Sequence, residues 1–434
     1  MKALYEKSPV PVTSLAVFLP RTGVCLDPPE RQGLTRAMMR LQLMGAGGLG
    51  NTEFNGRLER LGAAVNYSLA NDHLVLRMTT LSENLDEALA LFKLVLTAPN
   101  FDEGEFGRLK AELISTWIVD REENKQVRVQ DMYLKKIYHG TPHGFVADGT
   151  LEGLERVTCA EVRAQYAHVF GWAPPLLAVL SDLPEADVTA RIAAHVALPG
   201  HPPHGDHPWD RFAPLPNGGR SVTVIDDAHT QTDELLLGAF STQETDPDWH
   251  VHRLLSLIFG GDMNSRLFRI LRGERGYSYG ASCWYDSSQG RSPRNRISPF
   301  SMYTFPSVEY TAEAVPLLVS LYEQFVAEGP SPDELERAQH ALINSHAFLS
   351  DTPQKILGLR CDEALYGVEI DDERTNREKI LAVTCRDVRD VLQRTHHPER
   401  LTIVLLGDAK RLEPIADRIA GVAQRETVPA AANR

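Results

Sequence analysis

Arg272 and Tyr279 are the two residues of this sequence best suited to hold an oxygen that gains charge during a reaction. A guanidinium stays charged at any working pH and donates through a rigid fork, and a phenol is neutral and donates until a pH near ~10. Converging on a peptide carbonyl, two such donors would stabilise the oxyanion of a tetrahedral intermediate, and loss of one donor of that kind costs about 3 to 4 kcal/mol. Both residue types also have ordinary uses, Arg272 as a cap on helix carbonyls and Tyr279 as a strand aromatic. The elements that carry them must decide between these uses.

Those elements are read from the stretch Phe259 to Tyr285. Leu267, Ile270 and Leu271 have the i, i+3, i+4 spacing of a helix with one apolar stripe. The helix is predicted to end near Arg272, Gly273 and Gly276 mark a turn, and Tyr277 to Tyr285 has the aromatic composition of a strand. Arg272 is therefore expected at a helix C-terminus and Tyr279 early on the following strand, side by side.

At 434 residues the chain is too long for one ordinary domain. Its formal charge of −13 argues against nucleic acid as a partner, which would need a basic face. No apolar run approaches the ~18 residues of a transmembrane helix, so no membrane partner is expected. Met1-Lys2-Ala3 leads into Leu4-Tyr5-Glu6 without the apolar stretch of a secretory leader, which makes the expected location cytoplasmic. Cys25, Cys159, Cys283, Cys361 and Cys385 lack CxxC spacing and read as reduced thiols, neither a disulfide framework nor a zinc knuckle.

The chain is written twice. Asn55-Gly56-Arg57-Leu58-Glu59-Arg60-Leu61 is echoed by Asn264-Ser265-Arg266-Leu267-Phe268-Arg269-Ile270, an offset of 209. Val157-Thr158-Cys159-Ala160-Glu161-Val162-Arg163 returns as Val383-Thr384-Cys385-Arg386-Asp387-Val388-Arg389, an offset of 226, and the same offset maps Leu176–Asp182 onto Thr402–Asp408. Thr158 and Thr384 are expected N-caps, with Glu161 and Asp387 closing capping boxes. Paired helices are predicted at Glu83 to Ala98 and Asp102 to Arg121, and again at Ala312 to Ala327 and Pro332 to Phe348, the last introduced by Ser331. The larger second offset places about 17 extra residues in the proline-bearing segment Ser287 to Pro306. Residues 201–217 form a proline- and glycine-rich linker between domains at 1–200 and 218–434. His201, His204, Asp206 and His207 in that tether, and the pairs His139/His143 and His396/His397, lack the rigid supporting shell of a metal site, and no metal site is assigned to them. Strand-like and helical segments are grouped and do not alternate strictly, which predicts two homologous α+β domains. Each is expected as a mostly antiparallel sheet with helices on one face, the two closing as a clamshell.

Over nearly its whole length the chain resembles the insulinase and mitochondrial-processing-peptidase family of zinc peptidases. The resemblance is carried by Gly33-Leu34 before a helix, Arg60-Leu61-Gly62-Ala63-Ala64-Val65-Asn66, Leu81–Leu89, and Leu271-Arg272-Gly273-Glu274-Arg275-Gly276-Tyr277-Ser278-Tyr279. It implies that Arg272 and Tyr279 bind the substrate carbonyl and stabilise the transition state. It also implies an inverted zinc motif, His-x-x-Glu-His, on the helix after the Gly-Leu. Here both ligand positions hold arginine, Arg36 and Arg40, and the general-base position holds Met39. The third ligand should fall at Thr116 or Trp117, neither of which binds zinc, and Glu112 is the only acid within a helical turn. Cationic side chains repel a divalent ion, so no zinc or other cofactor is expected in this chain. The resemblance then implies half an enzyme: a homologous zinc-bearing subunit supplies metal and base, this chain supplies Arg272 and Tyr279, and an extended peptide is the substrate. That peptide would add along a sheet edge, where Asn66-Tyr67 matches the family's substrate strand. The other reading from a different class is an inert scaffold or peptide-binding subunit of a larger complex.

Overall fold

Two sheets with the same strand order are built from the two halves of the sequence. The computed structural model describes residues 2–170, 175–196, 218–228, 230–242, 246–285, 298–367 and 371–429. The first sheet uses β1 (Lys2–Lys7), β2 (Val12–Pro20), β5 (Ala64–Leu69), β6 (His73–Leu81) and β7 (Leu176–Ser181) in the order β1-β7-β2-β6-β5, while β3 (Gly45–Ala46) and β4 (Leu49–Gly50) form a small hairpin apart from it. The second uses β8 (Arg220–Asp226), β9 (Glu234–Phe240), β10 (Ser278–Tyr285), β11 (Pro299–Pro306), β12 (Thr402–Gly407) and β13 (Val422–Pro429) in the order β10-β11-β9-β12-β8-β13. Read from the opposite edge, the first order is the second without β13. The antiparallel pairs outnumber the parallel ones, which are confined to β1/β7, β12/β8 and β13/β8. The duplication is therefore a duplication of fold, and the mostly antiparallel α+β expectation holds in both halves.

Strand alternation creates the layers. Leu15, Val17 and Leu19 of β2 join Leu74, Leu76 and Met78 of β6 in one core, under α1 (Leu34–Gln42), α2 (Asn51–Arg60), α3 (Leu85–Thr97) and part of α4 (Glu103–Glu123). The alternate residues Ala16, Val75, Leu176 and Ala178 face the other way, where Leu357 and Cys361 of the helix Pro353–Tyr366 cover them. A corresponding arrangement holds in the second sheet. Leu235, Leu237, Phe300, Met302, Ile403 and Leu405 build the main core, and α5 (Lys125–Ile137) lies against β9 and β12. On that side Tyr133 hydrogen-bonds Ser301 at 2.8 Å, and a Cβ on Gly238 would run into the Tyr133 hydroxyl, so the strand needs glycine there.

Each sheet therefore borrows one helix from the other half of the sequence. The two compact units are Met1–Val119 with Phe145–Phe212 and Phe348–Ile370, and Asp120–Gly144 with Ala213–Ala347 and Asp371–Arg434. Helices on one face describes the main layer only, because the second face of each sheet carries the borrowed helix.

The predicted helix pairs are present as Leu85–Thr97, Glu103–Glu123, Thr311–Glu328 and Pro332–His346. Reciprocal capping bonds join Thr158 to Glu161, Ser331 to Glu334 and Thr384 to Asp387. The expected insertion over Ser287 to Pro306 needs correction. Pro299–Pro306 is β11, the counterpart of β6, and its alternate residues build the core; the second copy is longer between Tyr285 and Pro299, where the first copy has only Leu69 to His73. Residues 286–297 and the linker with His201, His204, Asp206 and His207 lie outside the described residues.

Candidate functional site

The helix carrying Arg272 begins after Ser265 and is held by a mostly buried ion pair. Arg266 reaches both carboxylate oxygens of Glu334, Nε to Oε1 at 3.0 Å and Nη2 to Oε2 at 2.6 Å, with the two side chains 12% and 13% exposed. Burial pushes the Glu334 carboxyl up, but hydrogen bonds from Arg266 and the Ser331 N–H outweigh it and hold it below the usual carboxylate range. Leu267 and Leu271 are fully buried beneath the helix.

The helix does not stop at Arg272. After α turns over Arg266–Phe268 it widens to π spacing over Arg269–Glu274, closed by the Arg275 N–H on the Ile270 carbonyl at 3.0 Å. Single π turns of this kind inside α-helices concentrate at functional sites. Gly276, at φ +67°, supplies the left-handed residue of the turn, and β10 starts at Ser278, one residue later than the composition suggests.

Tyr279 owes its direction to a bulge. The β10/β11 register shifts between Ser278 and Ala281, which leaves Tyr279 and Gly280 out of the regular ladder. Three hydrogen bonds fix the distortion: Ser278 Oγ donates to the Gly280 carbonyl at 2.8 Å, Thr304 Oγ1 donates to the same carbonyl at 2.8 Å, and Ser278 Oγ accepts from the Phe305 N–H at 3.2 Å. Bulges re-aim side chains in this way beside active sites. Tyr279 is 74% exposed, far more than a strand aromatic that serves packing.

The two candidates meet. Arg272 Cζ lies 4.3 Å from the Tyr279 ring centroid and 4.9 Å from that of Phe268, so the half-buried cation is held over aromatic faces. Such a contact is worth about 0.5 to 2 kcal/mol and attracts charge without consuming the N–H donors as a carboxylate would. The side-by-side arrangement expected from the sequence is a stacked one. Among the described residues no carboxylate pairs with Arg272. Phe268 was missed by the sequence reading, although its place four residues before Arg272 puts both on one helical face.

At the second place singled out, the positions that the resemblance assigns to zinc carry compensated charges. Arg36 is paired with Asp148, and Arg40 donates to Glu112 at 2.7 Å. Burial pushes the phenol of Tyr67 up, against the opposing pull of the neighbouring Arg36 and Arg40 cations. Met39 is fully buried, and Trp117 is buried with its indole N–H on the Gly149 carbonyl at 3.1 Å, so neither faces a ligand. Arginine donors paired with acids do not fit a divalent ion. Among the described residues no three His, Cys, Asp or Glu side chains gather into a set that could hold one. Glu112, the acid noted in the sequence, serves as the partner of Arg40; Asp148 had no sequence signal.

Three of the four histidines in the pairs His139/His143 and His396/His397 have structural places. His143 is buried with its ring stacked on Tyr138, and His139 follows α5 in a left-handed conformation. His396 is buried and bonded through both ring nitrogens, to Tyr285 at 2.8 Å and to Tyr322 at 2.8 Å. All five cysteines are free. No described helix is long and apolar enough to cross a membrane.

Comparison with known proteins agrees with this architecture. Residues 2–146 match the family model described as Insulinase (Peptidase family M16), and residues 156–342 match the one described as Peptidase M16 inactive domain. A curated relative, the non-peptidase homolog YmxG of Helicobacter pylori, is 21% identical over 90% of this chain and 88% of its own length. Among solved structures, a peptidase M16 inactive domain from Pseudomonas fluorescens superposes with TM-score 0.81 at 20% identity, over 94% of this chain and 95% of the other. A protease from Helicobacter pylori superposes with TM-score 0.79 at 16% identity, over 93% and 96%. With both halves matched in order and the same strand order in each, the chain belongs to the insulinase (M16) peptidase family, and its residues 156–342 match that family's inactive domain.

Proposed function

We propose that this chain is the non-zinc-binding subunit of a two-chain metallopeptidase, inactive alone, which supplies Arg272 and Tyr279 to a peptide bond presented by a homologous zinc-bearing subunit. The observation that carries this reading is a contrast within the molecule. Arg36 and Arg40, at the zinc positions, each have an acid partner. Arg272 has none among the described residues and is held instead over Phe268 and an exposed Tyr279. A bulge locked by Ser278 and Thr304, next to a π turn, is a costly way to display an aromatic unless its hydroxyl is used.

In this role the Arg272 guanidinium and the Tyr279 hydroxyl donate to the carbonyl oxygen of the scissile bond, and their bonds shorten as that oxygen becomes an oxyanion. Neither group transfers a proton. The metal and the base are the partner's, since the residues at 36, 39 and 40 of this chain supply neither.

The test is reconstitution. Mixed with a zinc-bearing family member from the same organism, the wild-type chain raises peptide cleavage, and Arg272→Ala or Tyr279→Phe removes at least tenfold of that gain with co-elution of the two chains unchanged. Variants that activate as well as wild type would leave the chain as a scaffold.

A further inference from the structure

We infer that Arg272 and Tyr279, with Phe268 as a supporting wall, form a receptor for a peptide carboxylate, either the free C-terminus or an Asp or Glu side chain. The inference rests on the proposed role of this pair in gripping peptide, and adds a second ligand for the same donors, one that competes with the scissile carbonyl. A half-buried arginine over ring faces keeps a full positive charge and the whole of its donor fork. A neutral carbonyl uses one prong of such a fork, whereas a carboxylate takes two parallel bonds, each charge-assisted and about twice as strong as a neutral one. Tyr279, exposed and aimed outward by its bulge, adds a third donor beside the fork.

The surroundings favour an anion as well. Along the turn Arg269 is paired with Glu274, while Arg275 adds a further exposed cation, so this stretch is net positive in a chain of charge −13. Phe268 and the Tyr279 ring hold the fork in place.

The experiment uses the full chain and four short extended peptides carrying a neutral N-terminal fluorophore, read by fluorescence anisotropy at low and high salt. One pair differs in a free C-terminal carboxylate against a C-terminal amide, the other in an internal Glu against Gln, both with amidated ends. The carboxylate member of one pair is expected to bind about tenfold tighter than its neutral twin, with the advantage shrinking as salt rises. Which pair shows it identifies the source as chain terminus or side chain. Arg272→Ala abolishes the advantage, Arg272→Lys keeps part of it, Tyr279→Phe and Phe268→Leu reduce it about fivefold, and thermal unfolding checks that each variant is folded. If no pair discriminates but Arg272→Ala weakens every peptide, the carboxylate assignment falls while the peptide-gripping role stands. If Arg272→Ala and Tyr279→Phe bind all four peptides as wild type does, the carboxylate assignment falls, and the catalytic role is judged by the reconstituted rate alone.

Discussion

The guanidinium carbon of Arg272 sits 4.3 Å from the centre of the Tyr279 ring, and it does so because two backbone irregularities face each other. A π turn sets the arginine at the end of its helix, and a bulge sets the tyrosine outside the regular ladder of β10. Ser278 ties the bulge together without being one of the two proposed donors. Ser278→Ala should therefore cost about 1 to 3 kcal/mol of stability, since its Oγ donates to the Gly280 carbonyl and accepts from the Phe305 N–H. The same change should lower the peptide-cleavage gain of the mixed enzyme as much as Tyr279→Phe does. Denaturant unfolding and the reconstituted rate, measured on one preparation, separate the two effects.

Burial decides how much each ion pair matters. Arg40–Glu112 is partly exposed, at 34% and 55%, and Glu112→Gln should change stability by less than about 1 kcal/mol. Arg266–Glu334 is mostly buried, and Glu334→Ala leaves Arg266 without its carboxylate partner and removes a capping box, so a larger loss, up to about 3 kcal/mol, is expected. Urea unfolding of the two variants tests the contrast, and equal losses would contradict it.

A chain of rings gives the fold an acid limit. His252 Nδ1 bonds the Tyr285 hydroxyl at 2.7 Å, and that hydroxyl bonds His396, which also bonds Tyr322. Burial pushes His252 down to about 4, despite the nearby carboxylates of Asp246 and Asp248, and pushes His396 well below the ordinary histidine range. The unfolded chain takes up these two protons near pH 6.5 and the folded chain does not. Stability contributed by the pair is therefore present above pH 6.5 and is lost as pH falls from there toward 4, by up to about 1.4 kcal/mol per pH unit for each histidine. His252→Gln should be less stable at pH 7 but lose stability less steeply between pH 6.5 and 4.5. Parallel curves for variant and wild type would contradict the assignment.

The exchange of helices makes the halves interdependent. Residues 1–200 expressed alone lack the helix Pro353–Tyr366, leaving Ala16, Val75, Leu176 and Ala178 uncovered. That fragment should bind a hydrophobic dye and aggregate, and adding the complementary half should suppress both. A monomeric, cooperatively unfolding fragment would show that the borrowed helix is dispensable.

Much of this architecture is legible in the sequence because local rules wrote it. The helix pairs follow from apolar spacing, the caps from Thr158, Ser331 and Thr384, and the duplication from short echoes at fixed offsets. The borrowed helices are not legible: their apolar stripes say that they are buried but not against which sheet, and α5 meets β9 about a hundred residues downstream and β12 about 270 residues downstream. The site shows the same division. Arg272 and Tyr279 stand out by type and spacing. The bulge that aims Tyr279 arises from the pairing of β10 with β11, across residues that no local pattern connects, and the Asp148 partner of Arg36 lies 112 positions away in a loop.

The most direct measurement is the steady-state kinetics of the reconstituted enzyme with Arg272→Ala in this chain and an unaltered zinc-bearing partner. If Arg272 acts on the carbonyl oxygen as charge develops, kcat falls by about 10² to 10³ while the affinity between the two chains is unchanged. A kcat equal to that of the wild-type mixture would contradict the account and leave this chain a scaffold.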